Sequence, residues 1–107
     1  MLFRSPVRFL VLDNSYLGMV RQWQELFYGR RYSAVEHPCP DFAAVARSFG
    51  AAGRKITDPS EVHDAIAELL RTDGPAVLVC EVEPEENVYP FVAPGKSLND
   101  LDLGKLA

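Results

Sequence analysis

Cysteine, histidine and clustered positive charge are all scarce in these 107 residues, and each scarcity removes a class of function. The two cysteines, Cys39 and Cys80, lie far apart with no CxxC spacing, and His37 and His63 have no Cys or second His at ligand intervals, so a zinc site is excluded. Both thiols read as reduced, as in a cytoplasmic protein; Cys39 lacks the nearby His and Asp arrangement of a nucleophile, and Cys80 lies in an apolar strand where a thiol is usually inert. Lys and Arg number 11 against 15 Asp and Glu, thinly spread for a net charge of −4, so the footprint of a nucleic-acid binder is missing. No apolar run approaches the roughly 20 residues that cross a bilayer. Arg4, Pro6 and Arg8 interrupt the N-terminal stretch too early for a signal peptide. The expectation is a soluble, unprocessed, cytoplasmic chain.

What is present suits one modest α/β domain, with 48% hydrophobic residues. Val7 to Leu12 is a short, branched, almost continuous apolar run, expected as a strand buried on both faces. Asp13-Asn14-Ser15 ends it with turn-forming side chains. Met19, Val20, Trp23, Leu26 and Phe27 then form one helical stripe, with Arg21, Gln22, Gln24 and Glu25 on the opposite face, until Gly29 breaks the helix. Asp41 caps a second helix that buries Phe42, Val45, Ala46 and Phe49 and stops at Gly50. A short strand is expected around Arg54 to Ile56. Asp58, Pro59 and Glu61 then spell a capping box ahead of a helix that buries Val62, Ile66, Leu69 and Leu70. After Asp73-Gly74-Pro75, Ala76 to Val82 is the best candidate for a central parallel strand.

The alternation of strands and helices predicts a three-stranded parallel sheet flanked by helices, residues 1–83, followed by an extended C-terminal arm, residues 84–107, with at most a terminal helical turn. Ligands of such sheets sit beyond the carboxyl ends of the strands. That places the stretch from Asp13 to Tyr16 and the stretch from Glu81 to Asn87 on one functional edge. Asn14 offers a hard carbonyl oxygen there, suited to magnesium, although Asp13 and Asn14 equally suit simple hydrogen bonding to the turn backbone, and a stripe with Met19 and Trp23 equally suits a core.

The string NSYLGMVRQWQELFYGRRYS, Asn14 to Ser33, closely resembles a stretch near the C-terminus of the acetolactate synthase (acetohydroxyacid synthase) large subunit, a thiamine diphosphate enzyme. Gly18-Met19-Val20, Gln22-Trp23-Gln24 and Leu26-Phe27-Tyr28 all match the family's usual form. The likeness continues through Pro40-Asp41-Phe42, Phe49-Gly50, Thr57-Asp58-Pro59, Gly74-Pro75 and the stretch from Pro84 to Pro90 with Pro94-Gly95-Lys96. It covers essentially the whole chain but only the C-terminal end of the family's longer one. The implied fold is the C-terminal half of a thiamine diphosphate-binding, doubly wound domain.

The resemblance implies that Asn14 binds magnesium through its side chain and Tyr16 through its backbone carbonyl, the metal bridging protein and cofactor diphosphate. Leu17, Gly18 and Met19 would adjoin the cofactor. Met19, Val20, Trp23 and Phe27 would line the substrate channel, the Trp23 position favouring 2-oxobutanoate as second substrate, and Arg31 is a weaker carry-over. Asp13 stands where the family usually has a first Asn, a departure that alters hydrogen bonding and leaves the key Asn intact. The arm would fold over the site entrance and exclude water. The implied reaction decarboxylates pyruvate and condenses the hydroxyethyl unit with a second 2-oxo acid.

The family's Gly-Asp-Gly metal segment and its activating acidic residue are both absent from these 107 residues. The chain is therefore expected to hold no catalytic residue of its own, to be inactive alone, and to be a fragment whose open sheet edge favours a dimer or larger homo-oligomer. FAD, carried by many members, would bind outside this stretch. Glyoxylate carboligase, pyruvate oxidase and sulfoacetaldehyde acetyltransferase share the fold, and a non-catalytic α/β partner-binding module stays open as the reading from another class.

Overall fold

The computed structural model describes residues 5–104. The chain divides into two compact units, residues 5–16 with 36–84, and residues 17–35 with 85–104.

The first unit is built on a parallel sheet of three strands in the order β1-β3-β2, where β1 is Arg8–Asp13, β2 is Ala52–Ile56 and β3 is Ala76–Glu81. The most apolar stretch of the sequence is thus the central strand, as expected. Leu10 lies beside Leu78 and Leu12 beside Cys80, while Arg54 and Ile56 flank the same two residues from the other side. With side chains alternating along each strand, Leu78, Cys80 and Ile56 share one face and Val77, Val79 and Gly53 the other.

One helix covers each face. Helix α2, Phe42–Ser48, begins at Asp41, whose carboxylate accepts the Ala44 N–H at 2.8 Å, the anticipated N-cap. It approaches β2 so closely that a Cβ on Gly53 would lie 2.2 Å from the Ala43 carbonyl oxygen. Helix α3, Val62–Arg71, packs Ala65 against Ile56 and Leu78, with Leu69 and Cys80 beside them. A short 3-10 turn, Pro59–Glu61, leads into α3, and Asp58 accepts the Ser60 N–H at 2.8 Å. Arg8 closes the other end of α3: its guanidinium donates to the Leu69 and Thr72 carbonyls, both at 3.0 Å, as a cation suits a helix C-terminus.

Four sequence expectations need correction here. β1 is an edge strand, and Phe9, Leu10 and Leu12 are each more than half exposed, because α2 and α3 pack mainly on β2 and β3. α2 buries Ala43 and Ala46 while Val45 and Phe49 are exposed, since the close approach at Gly53 admits only small residues. α3 likewise buries Ala65, leaving Val62, Ile66 and Leu70 exposed. Glu61 forms no reciprocal box, because its carboxylate takes the Arg54 guanidinium at 3.0 Å, which Glu68 shares.

The second unit contains α1, Gly18–Tyr28, and the arm. Gly29, at φ 58°, ends α1 in the left-handed conformation and returns its N–H to the Gln24 carbonyl. The arm is not wholly extended: β4, Phe91–Val92, pairs antiparallel with β5, Leu101–Asp102. The last expected helical turn lies largely outside the described residues.

Replacing Gly53 by Ala would force α2 away from β2. We expect a loss of about 2 kcal/mol, the usual scale of overpacking, read as a lower urea midpoint at unchanged slope.

Candidate cofactor site

β1 carries the chain to the carboxyl end of the sheet and stops at Asp13, which is buried at 6% exposure. Its Oδ1 accepts the Ser15 N–H at 2.9 Å and the Ser15 hydroxyl at 3.3 Å. Asn14 Oδ1 accepts the Tyr16 N–H at 3.2 Å. Two successive side-chain turns thereby hold Ser15 at φ 55°, a left-handed conformation costly for a residue with a Cβ. The Ser15 carbonyl accepts the His37 N–H at 2.8 Å, which fixes the turn against the following loop, and Tyr16 faces Glu36 in an isolated antiparallel bridge.

Asp13 also bonds Cys39 from that loop. This bond, with those from Ser15 and the charge of Lys55, holds the carboxyl below its ordinary value of 3.8 despite burial. The same carboxylate, together with burial, pushes the Cys39 thiol above its ordinary value. Asp13 is thus a buried anion committed to Ser15 and Cys39.

α1 inverts the burial its sequence suggests. Arg21 and Gln22, expected on the solvent face, are 0% and 1% exposed, whereas Met19, Val20, Trp23 and Phe27 are 41–49% exposed. The reason lies in the arm. Gln22 Nε2 donates to the Val88 carbonyl and Gln22 Oε1 accepts the Val88 N–H, both at 3.0 Å. Arg21 donates to Glu25 at 3.0 Å, to the Glu86 carbonyl at 3.3 Å and to Asn87 Oδ1. Glu25 accepts in turn from Asn87 Nδ2 at 2.9 Å and from Arg30 at 2.8 Å. The Asn87 bond, then those from Arg30 and Arg21, hold the Glu25 carboxyl below its ordinary value.

The apolar face is left open. Trp23 and Phe27 meet edge to face, with centroids 5.9 Å apart. Val20, Trp23, Gln24, Tyr28 and Arg31 line a shallow groove of about 460 Å³, and Met19, Val20 and Trp23 a smaller one of about 180 Å³. In the first unit a cavity of about 150 Å³ lies among Gly53, Arg54, Ala65, Glu68 and Leu78. It contains none of the candidate cofactor or substrate residues proposed from the sequence.

Among those residues, Asn14 and Tyr16 lie at the end of β1 in the first unit, and Leu17 to Phe27 lie on α1 or at its start in the second. Sequence reasoning missed Arg21 and Gln22 as buried groups and Glu25, Asn87 and Val88 as their partners. The available signal was the polar stretch Glu85-Glu86-Asn87, too short to pair with a sheet. Among the described residues no three His, Cys, Asp or Glu side chains gather into a metal site.

Residues 2–80 match the family described as thiamine pyrophosphate enzyme, C-terminal TPP binding domain. The chain belongs to that family. Over 94 residues it is 48% identical to the acetolactate synthase large subunit of Parasynechococcus marenigrum, covering 86% of this chain and 15% of that protein. It is 42% identical to acetolactate synthase isozyme 2 large subunit of Escherichia coli, covering 90% and 18% respectively. The chain thus spans well under a fifth of the curated relatives it matches. The crystal structure of benzoylformate decarboxylase from Polynucleobacter necessarius superposes with a TM-score of 0.67 at 25% identity, over 78% of this chain and 16% of that one. The resemblance first drawn from residues 14–33 is borne out, and the sheet is that of a TPP-binding domain.

Two outcomes follow from Asp13. Its folded pKa is depressed, so the stability it contributes is complete above 3.8 and is lost as the pH falls through the folded value. Asp13→Asn is therefore expected to lower the melting temperature at pH 7, with the deficit shrinking below about pH 4. Because the carboxylate raises the Cys39 pKa, the same substitution in a Cys80→Ser background should speed alkylation of Cys39 by iodoacetamide at pH 8.

Proposed function

We propose that this chain is the C-terminal part of the cofactor domain of an acetolactate synthase, in which Asn14 and Tyr16 supply two neutral oxygens to magnesium and α1 supplies one wall of the 2-oxo acid pocket. The observation that carries this reading is the inverted burial of α1, with its polar side chains packed and Met19, Val20, Trp23 and Phe27 presented.

The donor set at the end of β1 fits a hard cation in part. Asn14 Oδ1 has one lone pair engaged by Tyr16 N–H and a second available. The local bridge employs the Ser15 carbonyl and leaves that of Tyr16 aside. Asp13, the neighbouring anion, is occupied by Ser15 and Cys39, so the charge that balances the metal must come from beyond these residues. Thiamine diphosphate, when bound, supplies the electron sink for decarboxylating a 2-oxo acid and transferring the two-carbon unit.

This chain's own residues then orient and select. The left-handed Ser15 holds Asn14 and Tyr16 in a preset turn, which spares reorganisation on binding. The Leu17-Gly18-Met19 start of α1 would adjoin the cofactor. Trp23, backed by Phe27, would form the wall that senses the second substrate's alkyl group, and the adjacent Arg31 is suited to a carboxylate. One methylene in such a pocket is worth about 1–3 kcal/mol. The uncovered β1 edge is suited to the preceding part of the longer chain, and we expect the complete protein to be a homo-oligomer.

In the complete protein, Asn14→Ala is expected to weaken magnesium-dependent thiamine diphosphate binding by about tenfold or more, measured by calorimetry. Trp23→Ala should cut the preference for 2-oxobutanoate over pyruvate as second substrate by a similar factor, measured by product ratio under competition. Residues 1–107 alone should show no saturable binding of the cofactor. Tight binding by them would remove the need for a missing charged ligand.

A further inference from the structure

Arg21 and Gln22, the most buried polar side chains among the described residues, have no part in the pocket just described, and they bond the arm at Asn87 and Val88. We propose that Asn87 is a positioning residue, a latch that holds the arm on the polar face of α1 and thereby sets the rotation of the helix and the presentation of Met19, Val20 and Trp23 on its other face.

The chemistry of the contact is specific to a carboxamide. Asn87 Oδ1 accepts from the Arg21 guanidinium while its Nδ2 donates to the Glu25 carboxylate at 2.9 Å. A carboxylate there would satisfy Arg21 and repel Glu25, and an ammonium would do the reverse. One residue on, Gln22 closes a two-bond ring with the backbone of Val88, as a neighbouring strand would, so the arm is held by backbone as well as side chain. Arg21 Nε finds no acceptor among the described residues, so the guanidinium depends on the acceptors that its two Nη atoms meet, Glu25, Tyr32, Glu86 and Asn87.

An eleven-residue helix whose apolar side is half exposed gains little orientation from that side. Directional bonds on the buried polar side therefore determine which way the apolar side points. Phe27 adds a contact to Phe91 of the arm, with centroids 6.3 Å apart, at the trailing end of the same stripe. Release of Glu86 to Val88 would free α1 to turn about its axis.

The consequence for substrate selection rests on the proposed pocket, whereas the latch is read without cofactor or substrate. Failure of the pocket reading would leave the following measurements unchanged. Asn87→Asp places a second carboxylate against Glu25, and Glu25→Gln added to it removes that repulsion, the new carboxylate then standing in for Glu25 as the anion that meets Arg21. Hydrogen exchange at the Val88 amide, with Trp23 emission in the same samples, is the test. Expected are exchange at Val88 about tenfold faster and a shifted Trp23 emission in Asn87→Asp, both returning toward wild type in the Glu25→Gln/Asn87→Asp pair. Unchanged Val88 protection in the single variant, or no recovery in the pair, would overturn the latch. Faster exchange with unmoved Trp23 emission would overturn its hold on the apolar face. If Asn87→Asp also loosens the β3 amides of Leu78 and Val79, recovery in the pair still decides, because a merely disruptive substitution has no reason to be repaired by the charge-matched partner.

Discussion

Every strand of the first unit is held through β3. β1 and β2 do not pair with each other and both pair in parallel with this one strand, so its register determines where each of them ends. Leu12 opposite Cys80 and Asp13 opposite Glu81 bring β1 to its turn at the carboxyl edge of the sheet. Two side-chain acceptors then carry the backbone through an unfavourable φ at Ser15. The candidate metal oxygens of Asn14 and Tyr16 inherit their positions from a strand buried more than sixty residues later in the chain.

Position on the other unit is determined by polar contacts. α1 has the composition of a helix that should bury Trp23 and expose Arg21, and the opposite occurs because Gln22, Arg21 and Glu25 find partners in Glu86, Asn87 and Val88. Burying a guanidinium is costly unless its donors are met, and here a carboxylate, an amide and a carbonyl meet the two Nη atoms, while Nε has no acceptor among the described residues. The apolar stripe is left half exposed.

Strand and helix order, the central place of β3 and the Asp41 cap were legible in the sequence because they depend on local chemistry and on the length of apolar runs. Which face of each helix is buried was not. Periodicity reports that a stripe exists and says nothing of what lies opposite it. At α2 the outcome is decided by Gly53, ten residues from Ala43, and at α1 by Asn87, more than sixty residues from Arg21. The role of Asp13 was hidden for the same reason: its partner Cys39 lies across a loop. The family motif made Asn14, Met19 and Trp23 visible, while the polar residues between them in the same string, Arg21 and Gln22, gave no sign of their burial.

The division of α1 into an anchored polar side and an open apolar side separates two demands that most helices must satisfy with the same residues. Substitutions at Met19, Val20 or Trp23 change the shape of a surface without removing the bonds that hold the helix. That face can therefore be resized at small cost to folding, because the bonds that orient the helix lie on its other side.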